Sequence, residues 1–195
     1  MLTDRVPNRD PLRSEYIASD KHTTLELPPD DRLQASARAI EAALDAGEIP
    51  PVRRACTGFL AAAASFYGVP TPPLRVLAAR PVRVYESGGA SELFGDYNTV
   101  TTLIRVWMRT AVKKQVTSYG TLLSTLCHEF CHHLDLTKLG YRDSPHTRGF
   151  YERTAVLYHH VRGTPRKKLI WTPRPAGRYR IDWARTNRLN RPPQA

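Results

Sequence analysis

Apolar residues recur at helical spacing in four stretches of this chain, and at every second position in another. Leu33, Ala37, Ile40 and Leu44 fall on one face and predict a helix capped by Asp30 or Asp31 and ended by Gly47 and Pro50. Pro51 opens a second helix that runs to about Tyr67. It buries Val52, Ala55, Cys56, Phe59, Leu60, Ala63 and Phe66, and Gly68 closes it. The period then shortens. Leu74–Ala79 and Val82–Glu86 read as short strands about Pro81, with a turn at Ser87-Gly88-Gly89. Glu92–Tyr97 and Thr101–Met108 read as a hairpin around Asn98-Thr99. A long helix follows over Ser118–Lys138, ended by Gly140. The last is Arg148–Val161, with Phe150, Thr154, Leu157 and Val161 in register. Two helices, a small sheet and two more helices give an α+β class, with helices packed on one face of a mostly antiparallel sheet. Residues 1–30 contain four prolines and no clear period, so they read as a loose arm ahead of a domain over residues 31–161.

Charge changes the picture at the other end. Residues 162–195 hold ten Lys and Arg against the single acid Asp182, whereas the rest of the chain carries 19 basic and 17 acidic groups. The net charge of +11 is thus concentrated in a C-terminal segment that includes Arg166, Lys167, Lys168, Arg174, Arg178, Arg180, Arg185 and Arg191. With Trp171, Tyr179 and Trp183 interleaved, it reads as a basic tail suited to DNA or RNA. Cations pair with phosphates there, and rings stack on bases. No run of eighteen apolar residues exists, so no membrane span is expected. Three cysteines without framework spacing, and no apolar leader at the N-terminus, point to the cytoplasm, where a basic segment is compatible with the nucleoid.

The Ser118–Lys138 stretch carries the chemistry. His128-Glu129-Phe130-Cys131-His132 places two imidazoles one turn apart on a helix face opposite Leu123, Cys127, Phe130 and Leu134. Both can reach one Zn²⁺, and Glu129 between them is the residue type that takes a proton from a metal-activated water. A catalytic zinc takes three protein ligands and keeps one position open. Three residues are candidates to complete the site: His146, at the mouth of the last helix; Glu152, on that helix; and Asp135, one turn past His132. Asp135 is the better placed to orient a ligand imidazole rather than to bind. Cys127 lies on the core face and reads as packing; Cys131 borders the metal face, where His132 already takes the ligand position; His133, His159 and His160 read as surface. Tyr141, Arg148 and Tyr151 are candidates to stabilise an oxyanion.

Three elements in order resemble the SprT-like zinc metallopeptidases, whose members include Spartan-type proteases of DNA–protein crosslinks. They are Gly95-Asp96-Tyr97 with Ile104-Arg105-Val106, His128-Glu129-Phe130-Cys131-His132, and His146 with Phe150 four residues on. The resemblance spans about residues 93–158. It implies a zincin-like fold and one catalytic Zn²⁺ held by His128, His132 and His146, with Glu129 as the base. It also implies a protein substrate lying along Thr101–Met108 as the edge strand. Two departures stand out: Thr147 follows the third His where the family often has Gly, and no Cys follows Cys131, so the cysteine zinc ribbon of many members is absent. The expected activity is zinc-dependent endopeptidase cleavage near nucleic acid, with DNA-associated proteins as the expected substrates. The rival is a non-catalytic nucleic-acid-binding module with a structural zinc, and a zinc hydrolase of non-peptide amides stands third.

Overall fold

The computed structural model describes residues 1–84, 86 and 88–190. Tyr85 of the predicted Val82–Glu86 strand, Ser87 of the turn after it and Arg191 of the basic segment lie outside the described residues. The architecture is α+β: six α-helices and small, mostly antiparallel sheets among those residues. The chain forms two compact units. One is Pro28–Lys138; the other joins Met1–Leu27 to the residues from Leu139 on.

In the Pro28–Lys138 unit, the first helix is Arg32–Asp45, α2 in chain order, and it buries Leu33, Ala37, Ile40 and Leu44, the four positions its period marks. Next comes Ile49–Tyr67 (α3), whose Pro50 and Pro51 sit in the first turn, where no N–H partner is lost, and whose Gly68 ends it in the left-handed conformation. The predicted burial of Phe66 is not observed. Phe66 is exposed, and Tyr67 turns inward against Phe130. The two helices pack on each other, α2 also touches the helix Tyr119–Leu134 (α4), and α3 lies on strand β1, Leu74–Ala79.

Strands β4 (Gly95–Tyr97) and β5 (Ile104–Arg109) complete a sheet of order β1-β5-β4, in which β1 and β5 run parallel and β4 and β5 antiparallel. β5 is therefore the central strand, which overturns its expected place at the edge; β4 is an edge. The β5 residues Ile104, Val106 and Met108, which share one face of the sheet, are fully buried. The predicted Glu92–Tyr97 strand is two strands. Ala90–Glu92 (β3) pairs with Val82–Val84 (β2) in a separate ribbon, and the chain then passes through Phe94, over which the Arg80 guanidinium lies, before joining the larger sheet as β4. Arg80, 7% exposed, is tied to Glu92 at 3.0 Å and to Thr117, so one buried cation pins the crossing.

The other unit contains what the prolines and charges concealed. Residues 1–30 are not a loose arm. Leu12–Lys21 is a helix (α1), and residues 1–3 lie against strand Arg178–Ile181 (β7) through an antiparallel bridge of Leu2 with Arg180 and a Thr3 N–H bond to Tyr179 O of 2.8 Å. The period missed α1 because it buries only Tyr16 and Ser19 and shows no apolar stripe. The C-terminal segment is likewise folded: Trp171–Arg174 (β6) and β7 form a hairpin, and Trp183–Leu189 (α6) follows, N-capped by Asp182. The helix Arg148–Arg162 (α5) buries Phe150, Thr154, Leu157 and Val161 as its spacing demands and packs on α1. No described helix is long and apolar enough to cross a membrane.

Candidate metal centre

Ser118 starts α4 by accepting the Thr121 N–H, and Leu122, Leu123, Leu126, Cys127 and Phe130 sink its core side. The half-buried His128 and His132 are left one turn apart. Their Nε2 atoms are 3.2 Å from each other, with the rings nearly perpendicular at 82°. Two ligands of a tetrahedral ion bound at roughly 2.0–2.1 Å stand about 3.3 Å apart, so the pair has the separation of one tetrahedral edge. The Tyr97 ring of β4 stacks on His132 at 6.3 Å and 6°.

His133, expected at the surface, is 1% exposed and fully engaged. Its Nε2 is 2.7 Å from Pro70 O and its Nδ1 is 3.0 Å from the Tyr97 hydroxyl. A carbonyl only accepts, so Nε2 carries the proton, and Nδ1 of the neutral ring accepts from Tyr97. Burial lowers the pKa of His133, in keeping with that neutral form, and pushes Tyr97 up to about 12. Tyr97 thus stacks on His132 and braces His133 beside it, with the helix then passing into a π-turn over Asp135–Leu139.

Glu129 lies beneath the β4 strand, 5% exposed. Burial, with a smaller contribution from the Asp96 charge, pushes its carboxyl up to about 8 in the metal-free chain. It owes its room to Gly95: a Cβ there would lie 2.8 Å from Glu129 Oε1 and 2.5 Å from Thr125 Cγ2. The neighbouring Asp96 is bonded through both oxygens to Arg105 across the β4–β5 register, at 2.8 and 2.5 Å.

His146 precedes α5. Thr147 caps that helix by accepting the Phe150 N–H at 3.0 Å, and its hydroxyl is also 3.0 Å from Ser19 Oγ. The His146 ring is stacked on Tyr151 at 5.6 Å and edge-on to Phe150 at 5.2 Å. Its backbone N–H donates to Asp4 Oδ2 at 2.8 Å. Asp4 carries no sequence signal, because it meets residue 146 only through the folded chain.

Of the predicted ligands, the structure brings His128, His132 and His146 together: one ring nitrogen from each, all within 4.8 Å of one another. No Asp, Glu or Cys joins this group among the described residues. Glu152, the alternative third ligand, is turned elsewhere; it accepts from Arg166 at 2.9 Å and faces Trp171 Nε1 at 3.4 Å. Asp135 is wholly buried where α4 ends, outside the group, and Cys127 and Cys131 are buried and in no disulfide. Three imidazoles, neutral when they bind, are a donor set that divalent transition metals accept.

The three candidate oxyanion partners are engaged in their own surroundings. The Tyr141 hydroxyl is 3.2 Å from His22 Nδ1, Arg148 is paired to Asp20, and the Tyr151 hydroxyl donates to Leu2 O at 3.1 Å. In the basic segment Arg166 is bound to Glu152, Lys167 to Asn187 and Arg178 to Thr3 O, while Tyr179 lies under the Arg148 guanidinium. Lys168, Arg174, Arg180, Arg185 and Arg188 keep exposed positions. No protein-family model, curated protein or solved structure matches the chain.

Proposed function

We propose that the protein is a zinc-dependent endopeptidase of the SprT-like kind. The observation that carries this reading is the meeting of three imidazole nitrogens within 4.8 Å, with Glu129 between two of those histidines on the same helix. His128, His132 and His146 would hold the ion. When bound, it supplies Lewis-acid polarisation of a carbonyl and acidifies a water to a pKa near 7. Glu129 would serve as the general base, accepting a proton at its carboxylate and returning it to the departing amine. Gly95 keeps the carboxylate in place, and Tyr97 keeps His132 and His133 in place.

The substrate backbone adds to the edge of β4, where Gly95–Tyr97 has β5 on one side only. Nucleic acid is engaged by the exposed cations of the β6–β7 hairpin and α6, Arg174, Arg180, Arg185 and Arg188. Against a structural zinc speaks the ligand count: structural sites close with four protein ligands, whereas three imidazoles gather among the described residues.

The test is Glu129→Gln. We expect about one equivalent of zinc to be retained and hydrolysis of an unstructured protein to fall about 10²–10⁴-fold. Parental activity in that variant removes the mechanism; zinc binding with no hydrolysis by the parent favours the structural reading.

A further inference from the structure

We infer that Asp4 is the positioning residue for His146, its carboxylate facing Nδ1 so that Nε2 is the nitrogen presented to the metal. The inference rests on the three-imidazole centre proposed above. Residues 4 and 146 hold each other at three points. The His146 N–H donates to Asp4 Oδ2 at 2.8 Å, the Asp4 N–H donates to His146 O at 2.9 Å, and the same Oδ2 lies 3.4 Å from His146 Nδ1. Backbone and ring of the ligand are therefore referred to one side chain, while Tyr151 and Phe150 bound the ring on its other sides.

Asp4 is itself fixed. Residues 1–3 run beside β7, with Ile181 N–H bonded to Met1 O, Thr3 N–H to Tyr179 O, Tyr179 N–H to Thr3 Oγ1 and Arg178 Nε to Thr3 O. Thr3 is fully buried, and the Tyr16 hydroxyl of α1 donates to Asp4 O. A carboxylate against Nδ1–H selects one tautomer and makes the opposite nitrogen a better donor to a metal. The half-exposed setting of Asp4 leaves room for the 3.4 Å contact to shorten when the ring is drawn to an ion.

The experiment uses the full chain and Zn²⁺ in competition with a chromophoric chelator, on the parent and on the Asp4→Asn, Asp4→Glu, Asp4→Ala and His146→Ala variants. Asp4→Asn keeps an oxygen for the His146 N–H, so its metal-free form should melt close to the parent. We expect its zinc affinity to fall about 10–100-fold, with Asp4→Glu recovering part of the loss. Nitrogen-15 shifts of the imidazole in the metal-free protein give a second readout that a merely structural Asp4 would not move: one Nδ1–H tautomer at His146 in the parent, a mixture in Asp4→Ala. Parental affinity in Asp4→Asn and a parental tautomer in Asp4→Ala, with His146→Ala weakened, overturn this inference and leave the metal centre standing. A parent that retains no ion, or a His146→Ala chain that binds as the parent does, overturns both.

Discussion

The two units of this protein hold their histidines by different means. In Pro28–Lys138 the two imidazoles belong to one helix, and helical geometry alone sets them a turn apart. Tertiary structure adds the Tyr97 ring over His132 and the Gly95 gap for Glu129. In the other unit a single imidazole stands in a loop and depends on partners distant in sequence: Asp4 for its backbone, Ser19 for the Thr147 cap, and α1 for the start of α5. There Arg153, fully buried, caps the end of α1 by donating to Ser19 O at 3.0 Å, to His22 O at 2.5 Å and to Ser19 Oγ at 3.2 Å. A local ligand pair is robust to loss of tertiary order; a ligand held by long-range bonds is the point at which the centre fails.

The largest expected effect breaks the second unit. A Cβ at Gly149 would sit 2.0 Å from Ser19 O and 2.9 Å from Asp20 O, both backbone atoms that cannot step aside. Gly149→Ala should cost about 3 kcal/mol and lower hydrogen-exchange protection in α1 and α5 while α2 and α3 keep theirs. Equal losses in both units would refute the contrast.

Gly95→Ala is the counterpart in the first unit. Its Cβ must displace the Glu129 carboxylate, so hydrolysis should fall about 10²-fold, as for a misplacement of roughly 1 Å, with zinc still bound in a 1:1 ratio. Lost zinc would show that Gly95 supports the ligands rather than the base.

Tyr97→Phe keeps the ring on His132 and deletes only the donor to buried His133 Nδ1. Urea unfolding should report a loss of about 1–2 kcal/mol. Acidification should have the smallest effect. Burial, the leading cause in each case, lowers the pKa of His22, His159 and His160. A folded value below the unfolded 6.5 means that the unfolded chain binds more protons under that pH, so stability is full above 6.5 and declines as pH falls below it. These three residues lie in the second unit and His133, shifted the same way by burial, in the first, so going from pH 7.5 to 5.5 should weaken protection in α5 more than in α2 or α3.

The same contrast governs what the sequence could say. The periods of α2, α4 and α5 named their buried residues because a stripe on one helix is local information. The choice of His146 over Glu152 needed the resemblance, since nothing local reveals that Arg166 and Trp171 occupy the Glu152 carboxylate. Residues 1–4 were illegible because their partners, Arg178 to Ile181, lie some 175 positions away, and Asp4 stayed hidden with them. Strand order failed for a related reason. Alternation in Thr101–Met108 shows that it is a strand, but only pairing with both β1 and β4 makes it central. His133 was misplaced because burial of a polar ring depends on a carbonyl and a hydroxyl from other segments. The basic segment looked like a tail because its charges mask a hairpin whose inward residue is Ile181.

The central claim, one ion held by three imidazoles with a corner open to water, is tested most directly by X-ray absorption at the zinc edge of the purified full chain. The account requires one zinc per chain, three imidazole nitrogens at about 2.0–2.1 Å and one further light atom. Sulfur at about 2.3 Å would place Cys127 or Cys131 in the coordination shell and contradict it, as would a spectrum that is unchanged in His146→Ala.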